Sequence, residues 1–114
     1  MLSNAAFNAL LKTLEEPPQN VKFIFATTEI KKIPATIISR CQKFDLQRVD
    51  LKTLSNHLKN ICQNENISYE NASISHICKA SEGSVRDALS LLDQAASLCG
   101  DDIKEQIVLN MLGL

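Results

Sequence analysis

Two arginines and two threonines in this chain are placed for work on an anion. Arg40 lies in Ser39-Arg40-Cys41, between a short apolar stretch and an alternating one, and Arg86 lies in Gly83-Ser84-Val85-Arg86-Asp87-Ala88. Arg86 falls in the first turn of an expected helix, the end that already carries positive partial charge. A cation there is disfavoured by roughly 0.3–1 kcal/mol. The same end of a helix is where anions, phosphates above all, are held. A local rule broken without visible compensation marks a residue kept for something other than stability. Here it suggests a guanidinium meant for an anion shared with a neighbouring site. Thr27-Thr28 close the run Val21-Lys22-Phe23-Ile24-Phe25-Ala26. Hydroxyls at the carboxyl end of a strand stand where ligands of open α/β sheets collect.

These residues need elements to hold them. A first helix is expected from a Ser3 cap, with Ala6, Phe7, Leu10, Leu11 and Leu14 at helical spacing and Pro17-Pro18 as its stop. Glu15 and Glu16 read as its solvated end, with Lys12 nearby. Residues 21–28 form a nearly continuous apolar and β-branched run, the pattern of a strand covered on both faces of a parallel sheet. Pro34 starts a short helix through Thr36, Ile37 and Ile38. Residues 41–46 alternate, with Phe44 and Leu46 on one side and Lys43 and Asp45 on the other, which predicts a second strand.

From Asp50 onward the pattern predicts helices only. Asp50 caps a stripe of Leu51, Leu54, Leu58, Ile61 and Cys62. Ile74, Ile77 and Cys78 mark the next helix, closed at Gly83. Ser84, with Asp87 three residues on, opens a third whose stripe is Val85, Ala88, Leu89, Leu92, Ala95 and Cys99. A fourth opens at Asp101 or Asp102 and carries Ile103, Ile107, Val108, Met111 and Leu112. The expected organisation is therefore an α/β piece over residues 1–48 followed by an all-α bundle over residues 49–114. The α/β piece is too small for a complete sheet domain, so the chain is expected to be a fragment whose other strands lie upstream.

Composition sets the outer limits. The chain has 114 residues, a net charge of −1 and 45% apolar residues, which excludes a basic nucleic-acid coat and an acidic disordered tail. No apolar run approaches the ~18 residues of a membrane span, no secretory leader is visible, and a cytoplasmic location is expected. Cys41, Cys62, Cys78 and Cys99 are scattered without a Cys-x-x-Cys pair. No metal site is expected of them. The last three fall on apolar helical faces and read as small buried hydrophobes, and Cys41 likewise reads as core. His57 and His76 are given no chemistry, because no acidic or cysteine partner stands at catalytic spacing.

Several separated stretches agree with one family. The strand ending in Thr27-Thr28, then Ser39-Arg40-Cys41, then Gly83-Ser84-Val85-Arg86-Asp87, resemble in order and spacing the C-terminal half of an AAA+ ATPase module of the clamp-loader type. Phe7-Asn8-Ala9-Leu10-Leu11-Lys12-Thr13-Leu14-Glu15-Glu16-Pro17-Pro18 and Ala88-Leu89-Ser90-Leu91-Leu92-Asp93-Gln94 resemble the gamma/tau subunits of bacterial DNA polymerase III. The likeness runs over essentially the whole chain. It implies the end of a parallel-sheet AAA+ domain followed by a helical lid. It also implies a sensor-1 role for Thr28, with Thr27 beside it, and an arginine finger at Arg40 acting in trans on ATP of the neighbouring subunit. Arg86 would be the sensor-2 contact to ATP in its own subunit. Taken singly, Arg40 reads as a surface ion pair, and for Arg86 pairing with an acidic neighbour stands open beside a free guanidinium; jointly, with the flanking text, the nucleotide roles prevail.

The family's phosphate loop is not among these residues, and neither are its magnesium-binding carboxylates or its zinc cysteines, all of which lie upstream in such proteins. The expectation is thus a piece that neither binds ATP tightly nor hydrolyses it alone, although its parent uses ATP and magnesium. The parent's partners would be the other clamp-loader subunits, the sliding clamp and primed DNA, with no membrane. A delta-prime-type subunit, which also carries Ser-Arg-Cys, and a non-enzymatic helical interaction module are the alternatives.

Overall fold

A computed structural model describes residues 2–114. The chain divides into two compact units, Met1–Asp45 and Leu46–Leu114.

In the first unit, helix α1 spans Asn4–Glu15 and helix α2 spans Ala35–Ile38, with a 3₁₀ turn at Ile30–Lys32 before it. The Ser3 side chain accepts from the Ala6 N–H at 3.2 Å, the expected cap. Phe7 of α1 and Ile37 of α2 are buried, and the Phe25 ring lies 6.3 Å from that of Phe7. Neither expected strand forms. Residues 21–28 and 41–46 belong to no strand, and Ile24, Phe44 and Leu46 are 92%, 78% and 95% exposed. A strand exists only where another backbone satisfies its N–H and C=O groups, and within this unit no ladder partner is present among the described residues. Cys41, expected in the core, is exposed because the strand meant to bury it is not made.

The second unit is a helical bundle. Helix α3 spans Leu51–Asn64, α4 Asn71–Ser81, α5 Val85–Cys99 and α6 Glu105–Leu112. The Asp50 carboxylate accepts from the Thr53 N–H at 2.7 Å and the Ser84 hydroxyl from the Asp87 N–H at 3.2 Å, so both expected caps are made. Leu54, Leu58 and Cys62 of α3 meet Ile74, Ile77 and Cys78 of α4 and Ala88, Leu92 and Ala95 of α5 in one continuous core. Full burial of each Leu or Ile contributes roughly 1.5–3 kcal/mol, so this unit holds most of the chain's stability. Burial also pushes the Cys62 and Cys78 thiols up, away from the reactive thiolate. Cys99 is half-buried.

The bundle is not helical throughout. Strand β1, Ser68–Tyr69, pairs in parallel with β2, Asp102–Ile103. The fourth helix accordingly begins at Glu105 rather than at Asp101 or Asp102. Asp101 takes a left-handed φ of 67° after Gly100, and its carbonyl accepts from the Ser68 N–H at 2.9 Å, which commits this stretch to the pair. Ile103 is fully buried from the strand, not from a helical stripe. The Ser73 hydroxyl on α4 donates to the Ile103 carbonyl at 3.1 Å and ties the pair to the bundle.

Candidate functional site

Thr27 and Thr28 differ in what their hydroxyls are free to do. The Thr27 Oγ1 accepts from the Glu29 N–H at 3.0 Å and donates to the Glu29 carbonyl at 3.3 Å, a turn that redirects the chain towards Ile30–Lys32. Thr28 is exposed, and its hydroxyl has no hydrogen-bond partner among the described residues. Of the two, Thr28 is the side chain available to an external oxygen.

Arg40 follows directly on α2 and its C-cap, Ser39. Its Nη1 donates to the Thr36 carbonyl at 2.6 Å, and its Nη2 meets Glu15 Oε1 at 2.7 Å. Ser39 adds a hydroxyl bond to the same Thr36 carbonyl at 3.0 Å. A cation at the carbonyl end of a helix obeys the local rule, so Arg40 lacks the charge–dipole conflict that marks Arg86. Glu15, expected as a solvated helix end, is the acidic partner. Nothing in the sequence links the two, since they are 25 residues apart.

Arg86 behaves differently. It is the second residue of α5, it is exposed, and its guanidinium makes no ion pair or hydrogen bond among the described residues. Asp87 offers its backbone N–H to the Ser84 cap. The charge thus stands unpaired at the positive end of a helix dipole, with Asp87 the acidic residue of that first turn.

The turn that launches α5 is held from the linker side. Arg48 Nη1 donates to the Glu82 carbonyl, and the Val49 N–H donates to the Gly83 carbonyl at 3.0 Å. Glu82 is the left-handed C-cap of α4, with φ 51°, and Gly83 follows with φ 82°. Arg48, the last residue of the first domain as read from the sequence, is therefore bonded within the second unit. Sequence reasoning missed this role. His76, given no chemistry from the sequence, has its Nε2 3.1 Å from Glu105 Oε1 and joins α4 to α6, a bond the sequence did not announce. Among the described residues no three His, Cys, Asp or Glu side chains are grouped as metal ligands, and no helix is long and apolar enough to cross a membrane.

A serine-capped helix bearing an unpaired arginine in its first turn, on a four-helix bundle that follows a Ser-Arg-Cys turn, is the arrangement expected of an AAA+ clamp-loader piece. Comparison with known proteins agrees. The family model for the DNA polymerase III clamp loader subunit, ATPase lid domain, matches residues 53–101, and that for the DNA polymerase III delta subunit matches residues 1–50. The chain is 50% identical over 114 residues to DNA polymerase III subunit tau/gamma of Haemophilus influenzae, covering 100% of this chain and 17% of that protein. It is 51% identical over 113 residues to subunit tau of Bacillus subtilis, covering 99% of this chain and 20% of that protein. Against subunit gamma of Buchnera aphidicola subsp. Baizongia pistaciae the identity is 48% over 114 residues, covering 100% of this chain and 31% of that protein. The chain belongs to the DNA polymerase III tau/gamma clamp-loader family. The structure is consistent with the end of an AAA+ domain followed by a helical lid, and the lid model covers residues 53–101. It spans 17% to 31% of the length of these relatives.

Proposed function

We propose that this segment supplies the nucleotide-responsive side chains of a clamp-loader ATPase, one that couples ATP binding and hydrolysis to loading a sliding clamp on primed DNA. The observation that carries the reading is Arg86: an exposed, unpaired guanidinium in the first turn of α5. Such a group has no stabilising role on its own helix and suits an anionic oxygen brought to it. When the γ-phosphate of ATP is that oxygen, Arg86 links nucleotide state to lid angle, because it pulls on the lid only while the phosphate is there. Thr28 would orient water or contact a phosphate oxygen from the end of its extended segment. Arg40 would act in trans, stabilising charge that develops on the phosphoryl group held by the adjacent subunit.

The residues here fit phosphate oxygens but do not form a nucleotide cradle. The phosphate loop and the carboxylates for magnesium would come from outside this segment, and the segment alone would not turn over ATP. The other clamp-loader subunits, the clamp and primed DNA are the partners this implies, in the cytoplasm.

The test is nucleotide binding by the full subunit that contains this segment. Arg86→Gln should weaken a non-hydrolysable ATP analogue by roughly tenfold to a hundredfold, the worth of one charge-assisted hydrogen bond, and ADP much less. Equal weakening of both ligands, or of neither, would overturn the assignment.

A further inference from the structure

We propose that Glu15 is the positioning residue of the Arg40 finger. The inference rests on reading Arg40 as that finger and goes beyond it by naming the group that aims the guanidinium. The clamp has two jaws. The Thr36 carbonyl holds Nη1 from the carbonyl end of α2, and Glu15 Oε1 holds Nη2 from the last residue of α1. The remaining donors of the guanidinium, Nε–H among them, have no partner among the described residues. A long, flexible side chain is thus fixed in one orientation with part of its rigid donor fork still open to an incoming oxygen.

The pair is poorly suited to a structural role. Its side chains are 38% and 51% exposed, a setting in which ion pairs add little to stability. Glu15 also carries its negative charge at the end of α1 that the helix dipole disfavours. Its effect is on Arg40. By holding the guanidinium before the neighbouring phosphate arrives, it removes ordering that would otherwise be required in the transition state.

The experiment uses the assembled clamp loader carrying this segment, with clamp and primed DNA. Arg40→Ala, Glu15→Gln, Glu15→Asp and the Glu15→Gln/Arg40→Ala double variant are compared for ATP turnover, for KM and for affinity of the subunit's own site for an ATP analogue. Glu15→Gln should lower kcat by on the order of tenfold, with KM, analogue affinity and melting temperature unchanged. Glu15→Asp, which keeps the carboxylate, should recover part of the loss, and the double variant should be no slower than Arg40→Ala alone. An unchanged or raised kcat in Glu15→Gln, beside a severe loss in Arg40→Ala, would overturn the positioning role and leave the finger reading standing. An Arg40→Ala loader that turns over normally would overturn both. A lower melting temperature of Glu15→Gln with parallel loss of analogue binding would make the pair structural and overturn the proposal.

Discussion

Gly83 packs so tightly against Arg48 that a Cβ at position 83 would stand 2.6 Å from the Arg48 Cβ and 3.1 Å from the Val49 carbonyl oxygen. The Gly83 backbone lies against the Arg48 side-chain stem and the Val49 carbonyl, tied by the Val49 to Gly83 hydrogen bond and by Arg48 on the Glu82 carbonyl. It sets the start of α5, and with it the residue on which the nucleotide reading depends.

Gly83→Ala should therefore cost more stability than Gly100→Ala. Both positions have positive φ, 82° and 62°, so each alanine suffers the left-handed penalty of roughly 1–2 kcal/mol. At Gly100 nothing lies within 4 Å of an added Cβ, whereas at Gly83 the Arg48 stem and the linker backbone must also move. Chemical denaturation of the two variants measures the difference. Equal losses would mean that the linker yields freely at Arg48.

Asp50 gives the bundle a pH dependence. The Thr53 backbone N–H on its carboxylate, helped by the Thr53 side chain, holds its pKa below the ordinary value of 3.8. A depressed folded value means a contribution that is full above 3.8 and is lost as pH falls through the lower, folded value. Asp50→Asn keeps an acceptor for the Thr53 N–H but cannot titrate. Melting temperatures taken on either side of 3.8 should fall less steeply for Asp50→Asn than for the native chain. Parallel curves would show that the cap is not the group being read.

Arg86→Gln should leave the stability of this chain unchanged or slightly raised, since it removes a cation opposed by the α5 dipole and breaks no ion pair or side-chain hydrogen bond among the described residues. A thermal melt is sufficient. A loss above about 1 kcal/mol, beyond the usual range for a surface change, would show Arg86 to be a structural partner after all.

Much of the fold was legible because helices are local. The caps at Ser3, Asp50 and Ser84 and most of the stripes of α1, α3, α4 and α5 follow from residues three and four apart, and each cap bond is present, although Leu51, Val85 and Leu89 of the expected stripes are exposed. The place of Arg86, a charge at the wrong end of its own helix, was equally readable, but that it stays unpaired among the described residues was not, because pairing with an acidic neighbour stood open. Residues 21–28 and 41–46 show the limit. Their composition states a preference for a sheet, but a strand is completed only by another backbone, and among the described residues none forms a ladder with them. Four further features were decided by tertiary structure alone: the parallel pairing of β1 with β2, the His76–Glu105 bond, the Arg48 strap over the turn, and the Glu15 clamp on Arg40. Each joins residues far apart in the chain, and no repeat or spacing in the sequence announces a partner that only packing brings within hydrogen-bond distance.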